Sequence, residues 1–233
     1  MNVPPYFPEP IEVNDNLADS HHTVRLGFVR RVCLFHLFSL CCIVGVSRFP
    51  WPVLPSVVII GLFMFVLLGL SLVRIAVRLR PSEQRLSLLL SPALVVAGAL
   101  VVRECTAIGW ATWIPLVVSI SAWLYSLISG RDFSFMGLFL ISTFICLVVI
   151  AWVRQQSGWS MAATLNTIGF SIVFVFYFVY DLSMLLRRRR PGEEPAAVID
   201  LYRDVLNLST YSIRVYRHWK RHPFWEQPKR PSH

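Results

Sequence analysis

Charge is what this 233-residue sequence has little of: Asp, Glu, Lys and Arg together make up 15%, and only 13 of those residues are acidic. A soluble domain carries about a quarter charged residues, so the composition excludes an ordinary soluble enzyme. The five cysteines, Cys33, Cys41, Cys42, Cys105 and Cys146, lack the spacing of a disulfide framework or zinc site and read as small core residues. Also missing are a P-loop, a dinucleotide fingerprint, a metalloprotease helix and a nucleophile elbow. Residues 1–23 are proline-rich and acidic, without the basic start, apolar core and cleavage site of a signal peptide, so the first helix is expected to act as the insertion signal.

What is present is apolar: 55% of the residues, with a mean hydropathy of +0.59. The basic excess, a formal net charge of +9, sits between hydrophobic blocks and in the tail rather than along one helix face, which argues against nucleic acid as a partner. Charges and prolines cut the chain into blocks at 32–49, 53–77, 86–102, 105–129, 133–153, 161–186 and 196–217. Each approaches the roughly 20 residues that cross about 30 Å of hydrocarbon. The reading is an all-α membrane protein with seven transmembrane helices. A disordered acidic tail (1–23), a seven-helix domain (24–217) and a basic C-terminal tail (218–233) make up the chain, and the lipid bilayer is its first partner.

Arginines in the short connections set the orientation. With an internal N-terminus, Arg25, Arg30, Arg31, Arg74, Arg78, Arg80, Arg85, Arg131 and the run Arg187 to Arg190 lie inside, and Arg48, Arg103 and Arg154 outside. The N-terminus is therefore expected to be cytosolic, with Arg187 to Arg190 as a topology anchor that touches anionic lipid. The tail, with Arg214, Arg217, Lys220 and Arg221, breaks the rule, so either it is lumenal or the seventh helix is re-entrant.

An ionisable group inside a membrane helix costs about 2.5 to 3.5 kcal/mol on insertion scales and needs a reason. Asp181 lies six residues before Arg187, about 9 Å from the inner edge, and Asp204 lies eight residues into the next block, about 12 Å in. Two carboxylates at similar depth on antiparallel neighbours, if they face each other, disfavour a second charge by repulsion and desolvation. The pair then holds one proton and titrates as a unit. Asp200, Asp204, Asn207 and Tyr211 recur on one helical face; packing glue is the better reading for Asn207 and Tyr211. Arg74, Arg78 and Arg80 close the second block. A guanidinium there reaches toward a carboxylate or snorkels to the headgroups, with Arg74 and Arg80 the two candidates for a latch. His36 near Cys33 is too small a set for a metal site.

These residues resemble a family. Phe174, Tyr177 and Tyr180-Asp181 keep the spacing Phe-x-x-Tyr-x-x-Tyr-Asp, and Leu201 to Asn207 fits Leu-Tyr-x-Asp-x-x-Asn, as in the last two helices of the transmembrane Bax inhibitor motif (Bax inhibitor-1, Lifeguard) family. Val24 to Arg31 resembles the entry to that family's first helix, and Asp132-Phe133-Ser134 with Met136-Gly137 the opening of its fifth. The compact loops are similar to those of the seven-helix members carried by cytomegaloviruses.

The resemblance implies six helices around a central seventh, and a pH-sensitive calcium leak from the endoplasmic reticulum or another intracellular store that restrains apoptosis. It implies no catalysis and no cofactor, with calcium as permeant ion held transiently at Asp181 and Asp204, and protons and apoptosis-regulating or host membrane proteins as partners. Asp181 and Asp204 would form the sensor, Tyr180, Asp200, Arg203 and Asn207 would support it, and Arg80, or else Arg74, would latch it. The chain departs from the family where Asp200 and Arg203 replace apolar residues. An arginine beside Asp204 is placed to form an ion pair with it, which would replace the simple two-carboxylate titration. The alternative function is a non-conducting membrane interaction protein; a proton-coupled transporter and an intramembrane aspartyl protease follow, the protease failing because Leu201-Tyr202-Arg203-Asp204 stands where Gly-x-Gly-Asp is needed.

Overall fold

A computed structural model of the chain describes residues 15–76 and 80–203, apart from the side chains of 73–76, 80–84 and 87. Seven helices follow in order: α1 His22–Ser47, α2 Ser56–Ala76, α3 Arg80–Ala107, α4 Ile114–Ile128, α5 Phe135–Ser157, α6 Met161–Arg188 and α7 Glu194–Arg203, with no strand among the described residues. The N-termini use short side chains to satisfy orphan amides: Ser134 Oγ accepts from Gly137 N–H at 2.9 Å, and Ser160 Oγ from Ala163 N–H at 3.2 Å.

Among the described residues four helices are long and apolar enough to cross a membrane: α1, α3 from Leu88, α5 and α6. Ser56–Leu72 of α2 and all of α4 are shorter apolar stretches. Large apolar side chains cover the outside, among them Phe38, Phe65, Leu89 and Phe144; in water such a surface would aggregate, and in lipid it is the ordinary exterior.

Two boundaries correct the sequence reading. Arg103 and Glu104 do not separate the third and fourth blocks but ride inside the end of α3, where Arg103 Nη1 donates to the Trp51 carbonyl at 2.8 Å and Glu104 accepts from the Ser56 hydroxyl at 3.1 Å. These contacts tie α3 to the loop before α2 and to the first residue of α2, and the chain turns instead between Ala107 and Ile114, leaving α4 with 15 residues. The second boundary is at the start. Within the span 1–23 expected as a tail, Leu17–Asp19 form a 3-10 turn and α1 begins at His22.

The helices pack as neighbours α1 with α3 and α4, α2 with α3, α4 with α5, and α5 with α6, while α7 touches α1, α2, α3 and α6. Its ten described residues are buried or half-buried. Ala197 and Val198 enter the main core with Val29, Val32, Val175 and Leu182. Ile199 joins a second core with Leu67, Leu70 and Leu94 from α2 and α3. The described part of α7 is thus covered by four of the other helices.

Candidate functional site

α6 carries Tyr180 and Asp181 into the interior. Both are buried, Asp181 at 7% exposure, within a helix whose neighbouring turns supply Val175, Phe178, Val179, Leu182 and Leu185 to the core. Asp204 and Asn207 lie outside the described residues, as do the side chains of Arg74 and Arg80. The structure therefore places Asp181, Tyr180, Asp200 and Arg203, and leaves the second sensor carboxylate, Asn207 and both latch candidates unplaced.

The sharp turn from α6 to α7 builds the rest of the site. Pro191 cannot continue a helix and Gly192 takes φ 89°, a left-handed conformation that costs glycine nothing, so the chain reverses within a few residues. That reversal lays the start of α7 beside the end of α6. Arg189 donates to Asp200 Oδ2 through Nε at 2.8 Å and through Nη2 at 2.7 Å, and Arg203 pairs with Asp200 Oδ1. Arg189 Nη1 stands 3.8 Å from Glu193 Oε2. Asp200 is 0% exposed and Arg189 4%. At the start of α7, six residues before Asp200, Arg31 of α1 donates to Glu194 Oε1 through Nε at 2.8 Å and Nη2 at 2.7 Å; this guanidinium is half exposed.

One sequence expectation changes here. Arg189 is no headgroup anchor: with Arg188 it is buried, and it forms an ion pair within the protein, so the Arg187 to Arg190 run is split between roles. Arg203 pairs with Asp200 one helical turn back; Asp204, the partner expected for it, lies outside the described residues. Arg31, Arg189, Glu193 and Glu194 were absent from the sequence-based site. The signal available for them was Glu193-Glu194 directly after an arginine run and a Pro-Gly turn.

The same end of the bundle is closed by the segment before α1. Leu17 is 0% exposed and packs into the main core, its N–H donating to the Arg189 carbonyl at 3.1 Å. Arg25 holds the turn by donating to the Ala18 and Ser20 carbonyls at 2.9 and 3.1 Å.

Further in, His36 is buried between the rings of Phe178 (5.4 Å) and Tyr202 (5.2 Å), its Nδ1 2.8 Å from Ser119 Oγ. Tyr202 Oη in turn meets Ser39 Oγ at 2.6 Å. This polar contact set joins α1, α4 and α7. Among the described residues no group of three or more His, Cys, Asp or Glu is arranged for a metal ion. Cys33 and Cys146 are core residues as expected, whereas Cys41 faces outward and Cys42 and Cys105 are half-buried.

The comparisons with known proteins bear on this arrangement. The family described as "Inhibitor of apoptosis-promoting Bax1" matches residues 28–216. The chain belongs to this Bax inhibitor family. Protein LIFEGUARD 3 of Arabidopsis thaliana is 26% identical over 211 residues, 83% of this chain and 85% of that protein. A BI1-like protein of the same plant is 36% identical over 89 residues, 38% of this chain and 35% of its own length, so the chain matches about a third of that relative. An uncharacterized membrane protein of Vibrio cholerae is 33% identical over 94 residues, 39% of this chain and 40% of that protein. No solved structure matches the chain. Family membership and the apolar helices together make the chain a multi-pass membrane protein in contact with lipid.

Proposed function

We propose that this protein is a pH-sensitive calcium-permeable leak of an intracellular membrane such as the endoplasmic reticulum, with its N-terminus in the cytosol, that lowers store calcium and restrains apoptosis. The observation that carries the reading is Asp181, a carboxylate buried in a long apolar helix of a Bax inhibitor family member. A group so costly to bury marks an ion or proton path by default. Asp204, its partner in this reading, shares a proton with it; protonation of the pair removes the repulsion that two charges would exert, and deprotonation supplies negative charge to a divalent cation. Arg80 or Arg74 latches the pair, and calcium is the permeant ion, held only in passage.

The experiment is calcium release from stores in cells carrying Asp204→Asn. Altered release and altered pH response, with normal expression and partner binding, support the leak. Unchanged flux with altered partner binding sinks it in favour of a non-conducting interaction protein. Saturable flux of a different substrate would make it a transporter.

A further inference from the structure

The segment around the start of α1 reaches the ends of three other helices. Leu17 N–H donates at 3.1 Å to the carbonyl of Arg189, the residue that follows α6. His22 Nε2 stands 2.9 Å from the Gly130 carbonyl in the α4–α5 connection, and Arg30 Nε donates at 2.9 Å to the Ser126 carbonyl in the last turn of α4. Arg31 donates to Glu194, the first residue of α7. All of these ties fall at one end of the bundle, where α1 and α7 begin and α4 and α6 finish.

The ties differ in kind. Those of His22, Arg30 and Arg31 come from a 26-residue helix and move only if α1 moves. Leu17 stands outside that helix, on a 3-10 turn with local supports: Asn16 Oδ1 accepts from Ala18 N–H at 2.9 Å, and Arg25 donates to the Ala18 and Ser20 carbonyls. A segment between helices ordinarily runs over the surface, because its backbone polar groups need partners. Here Arg25 and the Arg189 carbonyl supply them, and the Leu17 side chain is fully buried in the main core with Val29, Val118, Leu138 and Leu185. One leucine therefore pins a short strap into the interior. An element held by so few contacts belongs to the low-stability end from which lids are drawn. The strap meets α6 at Arg189, eight residues past Asp181 and so about 12 Å from it along the helix.

We propose that residues 16–20 form an inhibitory strap: seated through Leu17, they keep this end of the bundle closed beyond Asp181, and their release opens it to the permeant ion. The side chains of α1 hold the ends of α4 and α7, while the strap covers the end of α6 and can leave without unfolding a helix. This rests on the leak reading given under the proposed function.

The test uses the full chain purified and reconstituted in phosphatidylcholine vesicles, wild type against Leu17→Asp and Leu17→Met, with two readouts: amide exchange over residues 16–25 and calcium efflux at a fixed pH. Leu17→Asp puts a carboxylate where the seat is apolar. It raises exchange by about tenfold or more and efflux by about fivefold or more. Leu17→Met, a volume-conserving swap, stays near wild type in both. If Leu17→Asp does not fold, Leu17→Ala takes its place and gives smaller changes of the same sign. Wild-type exchange in a folded Leu17→Asp or Leu17→Ala variant overturns the seat and the strap with it. Raised exchange with unmoved or lowered efflux, in vesicles whose wild type leaks, overturns the strap as a closure and leaves the leak reading standing. Efflux from the Leu17 variant where the wild type is tight supports both. Absence of efflux from wild type and variant alike, with the strap released, overturns the leak reading and the inhibitory role together.

Discussion

Arg189 and Asp200 are joined by two hydrogen bonds of 2.8 and 2.7 Å to one carboxylate oxygen, across a turn that separates them by eleven residues. The pair is a noncovalent tie between α7 and the end of α6, and both partners are buried. Asp200→Asn leaves Arg189 and Arg203 buried beside a neutral amide. Breaking a buried pair on one side costs about 3 to 5 kcal/mol, so Asp200→Asn is expected to lower the detergent-solubilised melting temperature sharply.

Arg31→Gln removes the partner of a different buried carboxylate, Glu194, but its own guanidinium is 52% exposed. Water reaches that site, and the cost falls toward the roughly 1 kcal/mol of exposed pairs. The expected order of destabilisation, read by thermal melting of both variants under one condition, is Asp200→Asn well above Arg31→Gln.

Leu17 lies before the first apolar run yet has no exposed surface. Leu17→Ala is expected to cost about 2 to 5 kcal/mol, the range for truncating a buried leucine. Limited proteolysis between residues 15 and 22 is the direct readout: cleavage there accelerates in the variant and stays slow in the wild type.

Gly137 opens α5 against Tyr125 of α4. A Cβ built at that position would stand 2.2 Å from Tyr125 Oη and 2.9 Å from both Tyr125 Cζ and Ser134 Oγ. Gly137→Ala therefore forces the two helices apart or moves the tyrosine, at about 1 to 3 kcal/mol for overpacking. Adding Tyr125→Phe removes the nearest atom, and the double variant recovers part of the lost melting temperature.

Ser119→Ala leaves His36 Nδ1 buried without the hydroxyl that now sits 2.8 Å from it. The expected loss is about 1 to 3 kcal/mol, the cost of orphaning a buried polar atom. A double-mutant cycle with His36→Leu checks it, because the coupling disappears once the ring is gone.

What the sequence made legible follows from what lipid demands. The sequence bounds α6 at 161–186 against an observed Met161–Arg188, and α5 at 133–153 against Phe135–Ser157, because a long apolar run between charged stretches has one sensible reading. α1 begins ten residues before its block, since Arg30 and Arg31 stay inside the helix with partners on other elements: the Ser126 carbonyl at 2.9 Å for Arg30 and Glu194 for Arg31. Counting arginines by loop assigns them to headgroups and is blind to such pairs. The same blindness hid Arg189, whose burial depends on the reversal at Pro191-Gly192 rather than on its neighbours in sequence. Asp181 was found because a carboxylate in an apolar run is conspicuous; Arg103 and Glu104 misled because charges that tie α3 to a loop look like a helix break.

The central claim is that Asp181 and Asp204 share the proton that governs calcium passage. Its most direct measurement is calcium efflux from reconstituted vesicles between about pH 5 and about pH 8, for wild type, Asp181→Asn and Asp204→Asn. The account predicts efflux in the wild type with a clear pH midpoint, and a displaced or lost midpoint in each single variant, because the carboxylate left behind titrates without the partner that shares its proton. Wild-type pH dependence retained in both variants would contradict it.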